Sequence, residues 1–544
     1  HASDAVKATF LPAMCEGRWT GTMNLTEPNA GSDLAQVRTK AVDNGDGTYS
    51  ITGQKIFITW GEHDMAENII HLVLARLPDA PAGVKGISLF VVPKYLVNED
   101  GSLGKRNDAR CVSLEHKLGI HGSPTAVMSF GDEGGAIGYL VGELNKGLPY
   151  MFTMMNHARL GVGVQGLAIS DRAYQHAVEY ARDRVQSREL GSPSPDSVAI
   201  IKHPDVRRML MTMRAQIEAQ RALSYYTATA LDRASTHPNP EEKARNQALV
   251  NFLIPIVKGW NTEQANEITS LGVQVHGGMG FIEETGAAQY YRDARITAIY
   301  EGTTGIQALD LIGRKLASEK GVTAAAVLAE VKATVAKLAA AGSDFASLKA
   351  NLEAGIEQAE ACVNFVLETF GTQPRLPAAG SVPFLKLMGI LLGGWQLARG
   401  ALIAQAKLGE DGADTDFYTA KIITARFYGE HLLPQDRVPT CLVELVHAEH
   451  LVLVHDLVDH LREIGASHRV EEREVFAGVS HLFHERLAGD HEHQGRLLLR
   501  SSRATQKAST HESIMMANIM LAALCGKNVP TSSRYTGSFA PQAM

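Results

Sequence analysis

Residues 299–305 read Ile-Tyr-Glu-Gly-Thr-Thr-Gly and set one carboxylate, Glu301, between an aromatic ring and a flexible, hydroxyl-bearing run. The segment that follows, Ile306-Gln-Ala-Leu-Asp-Leu-Ile, has a helical pattern. Taken alone, the stretch reads as a helix N-terminus, where an acid and threonines satisfy free backbone N–H groups and complement the helix dipole. The remainder of the chain decides whether that acid does more.

Three further stretches bear on it. In Met23-Asn-Leu-Thr-Glu-Pro-Asn-Ala-Gly-Ser-Asp-Leu a strand ends and a small-residue loop exposes N–H groups beside Ser32. Such a loop can cradle a phosphate or the edge of a flat ring, or it can be a plain polar turn. In Gly53-Gln-Lys-Ile-Phe-Ile-Thr-Trp-Gly, Phe57 and Thr59 stand two positions apart. That spacing puts a ring and a hydroxyl on one strand face, which suits a planar heterocycle, although a core aromatic beside a polar strand end explains either residue alone. In Leu271-Gly-Val-Gln-Val-His-Gly-Gly-Met-Gly-Phe a helical pattern runs into glycines. The dinucleotide fingerprint GxGxxG is not met, so a Rossmann site is excluded. A pyrophosphate approach and a simple helix stop both remain open.

Elements must position these groups. A short helix covers Ala5 to Met14, and β-branched runs at 48–59, 69–76 and 86–93, with the turn signal Asp43-Asn-Gly-Asp-Gly, predict a β-domain. From about residue 145 the period becomes helical. Leu160, Val164, Leu167 and Ala168 mark one face, and Val206, Met209, Leu210 and Met213 another. Helices of this length, interrupted at Gly191-Ser-Pro-Ser-Pro-Asp and His237-Pro-Asn-Pro, predict a four-helix bundle. An alanine-rich helical region follows. The expected segments are 1–19, a helical remnant; 20–135, the β-domain; 136–318, the bundle; 319–435, an appended helical domain; and 436–544, a histidine-rich tail. The fold class is α+β, mainly α, with a central antiparallel β-barrel domain.

With 45% hydrophobic residues, 544 positions suffice for several buried cores. A net charge of −7 argues against a surface built to bind nucleic acid. Cys15, Cys111, Cys362, Cys441 and Cys525 form no CxxC pair, which points to a reducing compartment and to no metal site of the usual zinc kind. His447-Ala-Glu-His and His491-Glu-His match no known ligand spacing. No apolar run approaches the ~20 residues needed to span a bilayer.

Taken together, Thr-Glu-Pro-x-Ala-Gly-Ser-Asp, Gly-Gln-Lys-x-x-Ile-Thr, Gln-Val-His-Gly-Gly-Met-Gly-Phe, Arg-Asp-Ala-Arg and Ile-Tyr-Glu-Gly-Thr resemble the acyl-CoA dehydrogenase family, in order and spacing, over about residues 8–316. The alanine-rich extension resembles larger bacterial members, including those acting on 3-methylmercaptopropionyl-CoA. The resemblance implies FAD bound at the junction of the β-domain and the bundle. Met23, Leu25 and Thr26 would meet the flavin pyrimidine ring, Ser32 the pyrophosphate, Phe57 the ring face and Thr59 the region of N5. A neighbouring subunit would supply Arg184, Gln274, Gly277 and Gly278 to the adenosine half, and Thr303 would reach a flavin phosphate. Phe57 replaces a more usual tryptophan, and Gly305 stands where glutamine is common.

By the same resemblance Glu301 is the catalytic base, Tyr300 and Gly302 shape the acyl slot, and Arg159 associates with CoA. The alternative for Arg159 is a salt bridge on a helix surface. The implied protein is cytoplasmic, a homodimer or dimer of dimers, and passes electrons to electron-transfer flavoprotein. Rival readings are an acyl-CoA oxidase using O₂ and an inactive or nucleic-acid-binding relative. The family carries a helical domain before the Leu-Thr-Glu-Pro strand, and only about twenty residues precede it here, beginning at His1, so the chain is expected to be processed or a fragment.

Overall fold

The computed structural model describes residues 1–436. The histidine-rich expectations for the segment beyond, including His447 and His491, lie outside the described residues. Helix α1 (Asp4–Cys15) begins at Ser3, whose hydroxyl accepts from Val6 N, and buries Phe10 and Ala13 against the β-domain. The domain's strands are β1 (Trp19–Asn24), β2 (Lys40–Asp43), β3 (Tyr49–Thr59), β4 (Asn68–Arg76), β5 (Ile87–Pro93), β6 (Tyr95–Val97), β7 (Leu103–Arg106), β8 (Ala109–Leu114), β9 (Thr125–Phe130) and β10 (Ala136–Leu140).

In the main sheet the order is β1-β4-β5-β10-β3-β9-β8, with β2 joining β3 to β4. That last join closes a ring of β4, β5, β10, β3 and β2, and so removes two edges that would otherwise invite mispairing. Not every pair is antiparallel. β1 runs parallel to β4 from Trp19↔Asn68 to Asn24↔Val73, and β2 meets β4 in parallel at Lys40↔Arg76. The β2–β3 hairpin lies between β1 and β4 in the chain and supplies the long crossover that parallel neighbours require. β4 and β5 are almost wholly buried, which is why they read as continuous apolar runs rather than as alternating ones.

Past the β-domain come α2 (Gly147–Asp183), a hairpin of β11 (Val185–Arg188) and β12 (Ser197–Ala199), α3 (Pro204–Thr236) and α4 (Pro240–His276). The hairpin sits around the proline- and serine-rich connector, whose composition signals a break and no strand. Three long helices occur in this region, and the fourth element packed on α4 is shorter. It comprises α6 (Thr304–Asp310) and a π-helical stretch, Leu311–Ala317, after a short α5 (Ala287–Arg295). Contacts pair Gly163 with Val257, Gly166 with Asn261 and Ala173 with Gly272, so α2 and α4 run parallel.

Helices α7 (Val322–Ala340), α8 (Ala346–Thr369), α9 (Arg375–Ala379), α10 (Ser381–Lys407) and α11 (Thr415–His431) follow. One apolar core runs unbroken from Leu160, Leu223 and Phe252 through Trp260 to Leu352, Leu391 and Tyr428. Helix α10 corrects one expectation: by length and composition it is apolar enough to cross a membrane. Its most apolar window is 78% buried inside the protein, with Gly389 and Gly393 closing on the Trp260 ring.

Candidate active site

Glu301 sits where two left-handed residues follow one another, with φ +54° at Glu301 and +86° at Gly302. Such a conformation is costly for a residue with a Cβ and persists only where neighbours impose it. Thr303 is the true helix cap, its hydroxyl accepting from Ile306 N at 3.3 Å, so Glu301 is left outside the helix and free of capping duty. The cap reading of the stretch therefore belongs to Thr303 and not to the acid.

Two side chains hold the turn. Gln307, fully buried on α6, donates through Nε2 to Glu301 O and Gly302 O, each at 3.2 Å. Lys258, fully buried on α4, donates to Gly302 O at 2.7 Å. Thr304 Oγ1 donates to Glu263 Oε1 at 2.5 Å and ties the next residue to the same helix. Neither Lys258 nor Gln307 was singled out from sequence. The lone lysine within the apolar run Phe252-Leu-Ile-Pro-Ile-Val-Lys was the available signal.

The Glu301 carboxyl is half-buried, and burial pushes its pKa up, while the charges of Arg159 and Lys258 pull it partly back. Arg159 does not lie on a helix surface. It is buried on α2 and pairs with Asp310 at 3.3 Å, while Arg314 takes the other Asp310 oxygen at 2.5 Å. The guanidinium has its Nε unpartnered, and it lies 3.7 Å from where a Cβ on Gly302 would stand. Tyr300, also half-buried, donates its hydroxyl to Gln165 Oε1 of α2. The structure thus brings Arg159, Tyr300, Glu301, Gly302 and Thr303 to one place.

A second group collects on the β-domain. Lys55 Nζ donates to Leu25 O at 3.1 Å, and Ile56 N to Thr26 O at 2.9 Å, so the end of β1 lies along β3. Beneath it Lys55 and Glu27 form a buried ion pair at 2.8 Å. Along β3, Tyr49, Ile51 and Lys55 face inward, and then the register against β9 shifts at a bulge. Phe57 takes φ +61°, Ile58 becomes the buried residue, and Phe57 and Thr59 both turn outward. The expected shared face is present, but the bulge sets which face it is. Phe57 is 59% exposed, Met23, Leu25 and Thr26 are half-buried, and Ser32 is exposed in the loop.

The β-domain is fastened to the bundle through the Arg-Asp-Ala-Arg motif: Asp293 Oδ1 accepts from Ile120 N at 2.6 Å, and Gly119 lies against Arg292 and Asp293 so tightly that a Cβ would clash. Five residues on, Thr125 pairs with Thr59.

The third group stands apart. Arg184 ends α2, and Gln274, Gly277 and Gly278 end α4, beside His276, whose ring lies 4.6 Å from that of His176. All four are exposed, and a Cβ on either glycine would meet nothing within 4 Å. Lys258, which touches the Glu301 turn, is nineteen residues before Gly277 on the same helix. At 1.5 Å per residue that is about 28 Å. Within one chain the glycine loop does not reach the Glu301 turn.

A closed β-sheet ring fastened to a bundle of long helices, with a carboxylate at the bundle's turn, defines the class, and comparison with known proteins gives the family. The acyl-CoA dehydrogenase middle-domain model matches residues 22–132, the acyl-CoA dehydrogenase C-terminal-domain model 145–317, and the acetyl-CoA dehydrogenase C-terminal-like model 327–439. The 3-methylmercaptopropionyl-CoA dehydrogenase of Ruegeria pomeroyi is 55% identical over 431 residues, 79% of this chain and 72% of that protein. A butyryl-CoA dehydrogenase of Syntrophomonas wolfei is 39% identical, over 80% and 72% of the two chains. The fold is shared with an acyl-CoA dehydrogenase of Bacillus anthracis solved with FAD, at a TM-score of 0.65 and 22% identity over 86% of this chain and 76% of that one. This chain belongs to the acyl-CoA dehydrogenase family.

Proposed function

We propose that the protein oxidises acyl-CoA thioesters to their trans-2-enoyl-CoA products, with Glu301 as the base that takes the α-proton. The observation that carries this reading is the Glu301 turn: a carboxylate held in a left-handed conformation, outside the helix cap, with its pKa raised by burial. A base for a weakly acidic carbon needs that combination of fixed position and raised proton affinity.

The family depends on FAD. The residues present fit it: an exposed aromatic ring at the Phe57 bulge, hydroxyls at Thr26, Ser32 and Thr59, and two adjacent glycines in open space at Gly277 and Gly278. When bound, the flavin supplies a hydride acceptor for the β-carbon. Met23, Leu25 and Thr26 would hold its pyrimidine edge, Phe57 and Thr59 its ring, and Ser32 and Thr303 its phosphates. Because Gln274, Gly277 and Gly278 lie too far along α4 to join this chain's own turn, the adenosine half would be completed by these residues, with Arg184, of a second copy. The exposed apolar side chains Met279, Phe281 and Ile282 beside that loop support a homodimer contact.

Each residue of the turn then has a task. Glu301 receives the proton, and its backbone N–H polarises the thioester carbonyl. Tyr300, fixed by Gln165, and Gly302 border the acyl slot, while Arg159 adds positive potential beside the carboxylate. The similarity to the Ruegeria pomeroyi enzyme favours 3-methylmercaptopropionyl-CoA, or a short fatty acyl-CoA, as substrate, in the cytoplasm, with electron-transfer flavoprotein as acceptor.

The test is purification with FAD followed by a panel of CoA thioesters of rising chain length that includes 3-methylmercaptopropionyl-CoA. Bleaching of a yellow protein by one of them, with electrons recovered on electron-transfer flavoprotein, is expected. Peroxide as the main product would replace the dehydrogenase reading with an oxidase. A protein that binds no flavin when FAD is supplied would sink the proposal for this chain.

A further inference from the structure

Lys258 is a single ammonium in an apolar run, wholly buried, and it meets one backbone carbonyl, that of Gly302. Among the described residues it has no salt-bridge partner. A buried cation without a paired anion is unfavourable, so it is retained only where something else needs it. The charged groups that bear on it are Glu301 from the turn, Arg159 from α2 and Glu263 further along α4. Glu263 is already engaged by Thr304, and Arg159 by Asp310, which Arg314 also holds. The carboxylate left for Lys258 to act on is Glu301.

We infer that Lys258 is a positioning residue for the base: it fixes the 301–302 turn through the Gly302 carbonyl, and its charge favours the carboxylate form of Glu301. The inference rests on the reading of Glu301 as the base and adds what sets that base's geometry and proton affinity. Gln307 shares the first task, since it donates to the same carbonyl, but being neutral it cannot share the second. Burial brings Lys258 down to about 8, so the cation persists through neutral pH, where Glu301 must accept its proton. Arg159 is the stronger of the two cations at Glu301, but its charge is divided with Asp310.

The experiment is an infrared titration of the Glu301 carboxyl in the full chain, with its band assigned by its loss in Glu301→Gln. It reads the base directly and does not require turnover. Lys258→Met should raise the midpoint by about one pH unit, the lower end of what an adjacent opposite charge contributes. Lys258→Arg, which keeps the charge, should leave the midpoint in place. In turnover assays the acid limb of kcat/KM should move with the infrared midpoint, which a merely structural lysine would not cause.

Lys258→Met leaves Gly302 O still bonded to Gln307, so no buried acceptor is orphaned. Should it fail to accumulate, Lys258→Gln carries the same expectation. Gln307→Ala loosens the turn without removing charge, and its kcat should fall with the midpoint unmoved. An equal midpoint shift in Gln307→Ala, or a folded Lys258→Met with an unmoved midpoint, overturns the inference. Full turnover in Glu301→Gln would remove the base itself and the inference with it. An inactive Glu301→Gln beside an unmoved Lys258→Met midpoint sinks the inference alone.

Discussion

Lys55 in the β-domain and Lys258 in α4 are both wholly buried, and burial brings each ammonium down to about 8. Their surroundings differ sharply. Lys55 faces Glu27 at 2.8 Å, and Glu27 also accepts from Thr39 Oγ1 at 2.6 Å, Thr39 N at 3.0 Å and Arg38 N at 2.7 Å. Burial pushes the Glu27 carboxyl up, but the Lys55 charge and these donors outweigh it and leave the pKa below the ordinary value. Lys258 has one carbonyl and, nearby, the Glu301 carboxyl proposed as the base. A closed polar network fixes geometry and directs its charge at its own partner, whereas an open one leaves its charge to act on a neighbour. The closed network lies under the strand end proposed to face a flavin, which must stay still. The open one lies under the carboxylate proposed to gain and lose a proton.

The contrast breaks first at Glu301. Glu301→Gln should lower turnover by about a thousandfold, the middle of the range for a general base, while flavin content stays unchanged. Steady-state assays on the best CoA thioester measure it, and a loss of less than tenfold would place the base elsewhere. The closed network should fail through stability instead. Lys55→Met leaves a buried Glu27 without its partner and should cost about 3–5 kcal/mol in urea unfolding. Adding Glu27→Gln should recover most of that loss. If it does not, the network is not the closed unit described.

How legible was this from sequence? The turn at Glu301 is recognisable because its motif is local, five residues whose types suit the chemistry proposed for it. The pair Phe57 and Thr59, proposed to face the flavin, is legible as a shared face, but period-two alternation alone would put that face inward, with Lys55. Only the bulge turns it out, and nothing in Lys-Ile-Phe-Ile-Thr announces an extra residue. The parallel β1–β4 pair was missed because pairing across a hairpin crossover leaves no local trace. For Arg159 the sequence leaves a surface ion pair open beside contact with CoA, and its burial depends on Asp310, 151 positions away. Lys258 and Gln307 act on backbone carbonyls, which any sequence offers, so their targets could not be read. The division of residues 319–435 into an appended domain follows the composition, yet the core passes through that boundary at Trp260.

A smaller effect should come from the glycine that lets the turn form. Gly302→Ala would place a Cβ 2.7 Å from Gln307 Nε2 at a φ of +86°. The strain is about 1–3 kcal/mol. Because it falls on the turn itself, kcat should drop more than thermal stability, as paired kinetic and melting measurements would show. The pH profile is a comparable test. Abstraction needs the carboxylate, so kcat/KM should fall as pH drops through the Glu301 pKa. Since burial raises that pKa, the limb should lie above the ordinary value of 4.5. A limb at or below that value would mean that the two cations outweigh burial, and would reverse the balance argued for the open network.

The smallest effect is expected at the edge of the closed network. Phe57 is 59% exposed and stands in a left-handed conformation unusual for an aromatic residue, so it contributes little to the core. Phe57→Ala should therefore leave unfolding stability within about 0.5 kcal/mol. It should nevertheless weaken FAD binding by about tenfold, the scale of one ring–ring contact. Equilibrium dialysis with FAD beside thermal melts separates the two quantities. Phe57→Trp, which presents a larger ring from the same bulge, should bind at least as well as the native residue. If Phe57→Ala binds FAD as tightly as the native chain, the bulge serves only the sheet. The Lys55–Glu27 pair beneath it would then brace a strand end with no cofactor to meet.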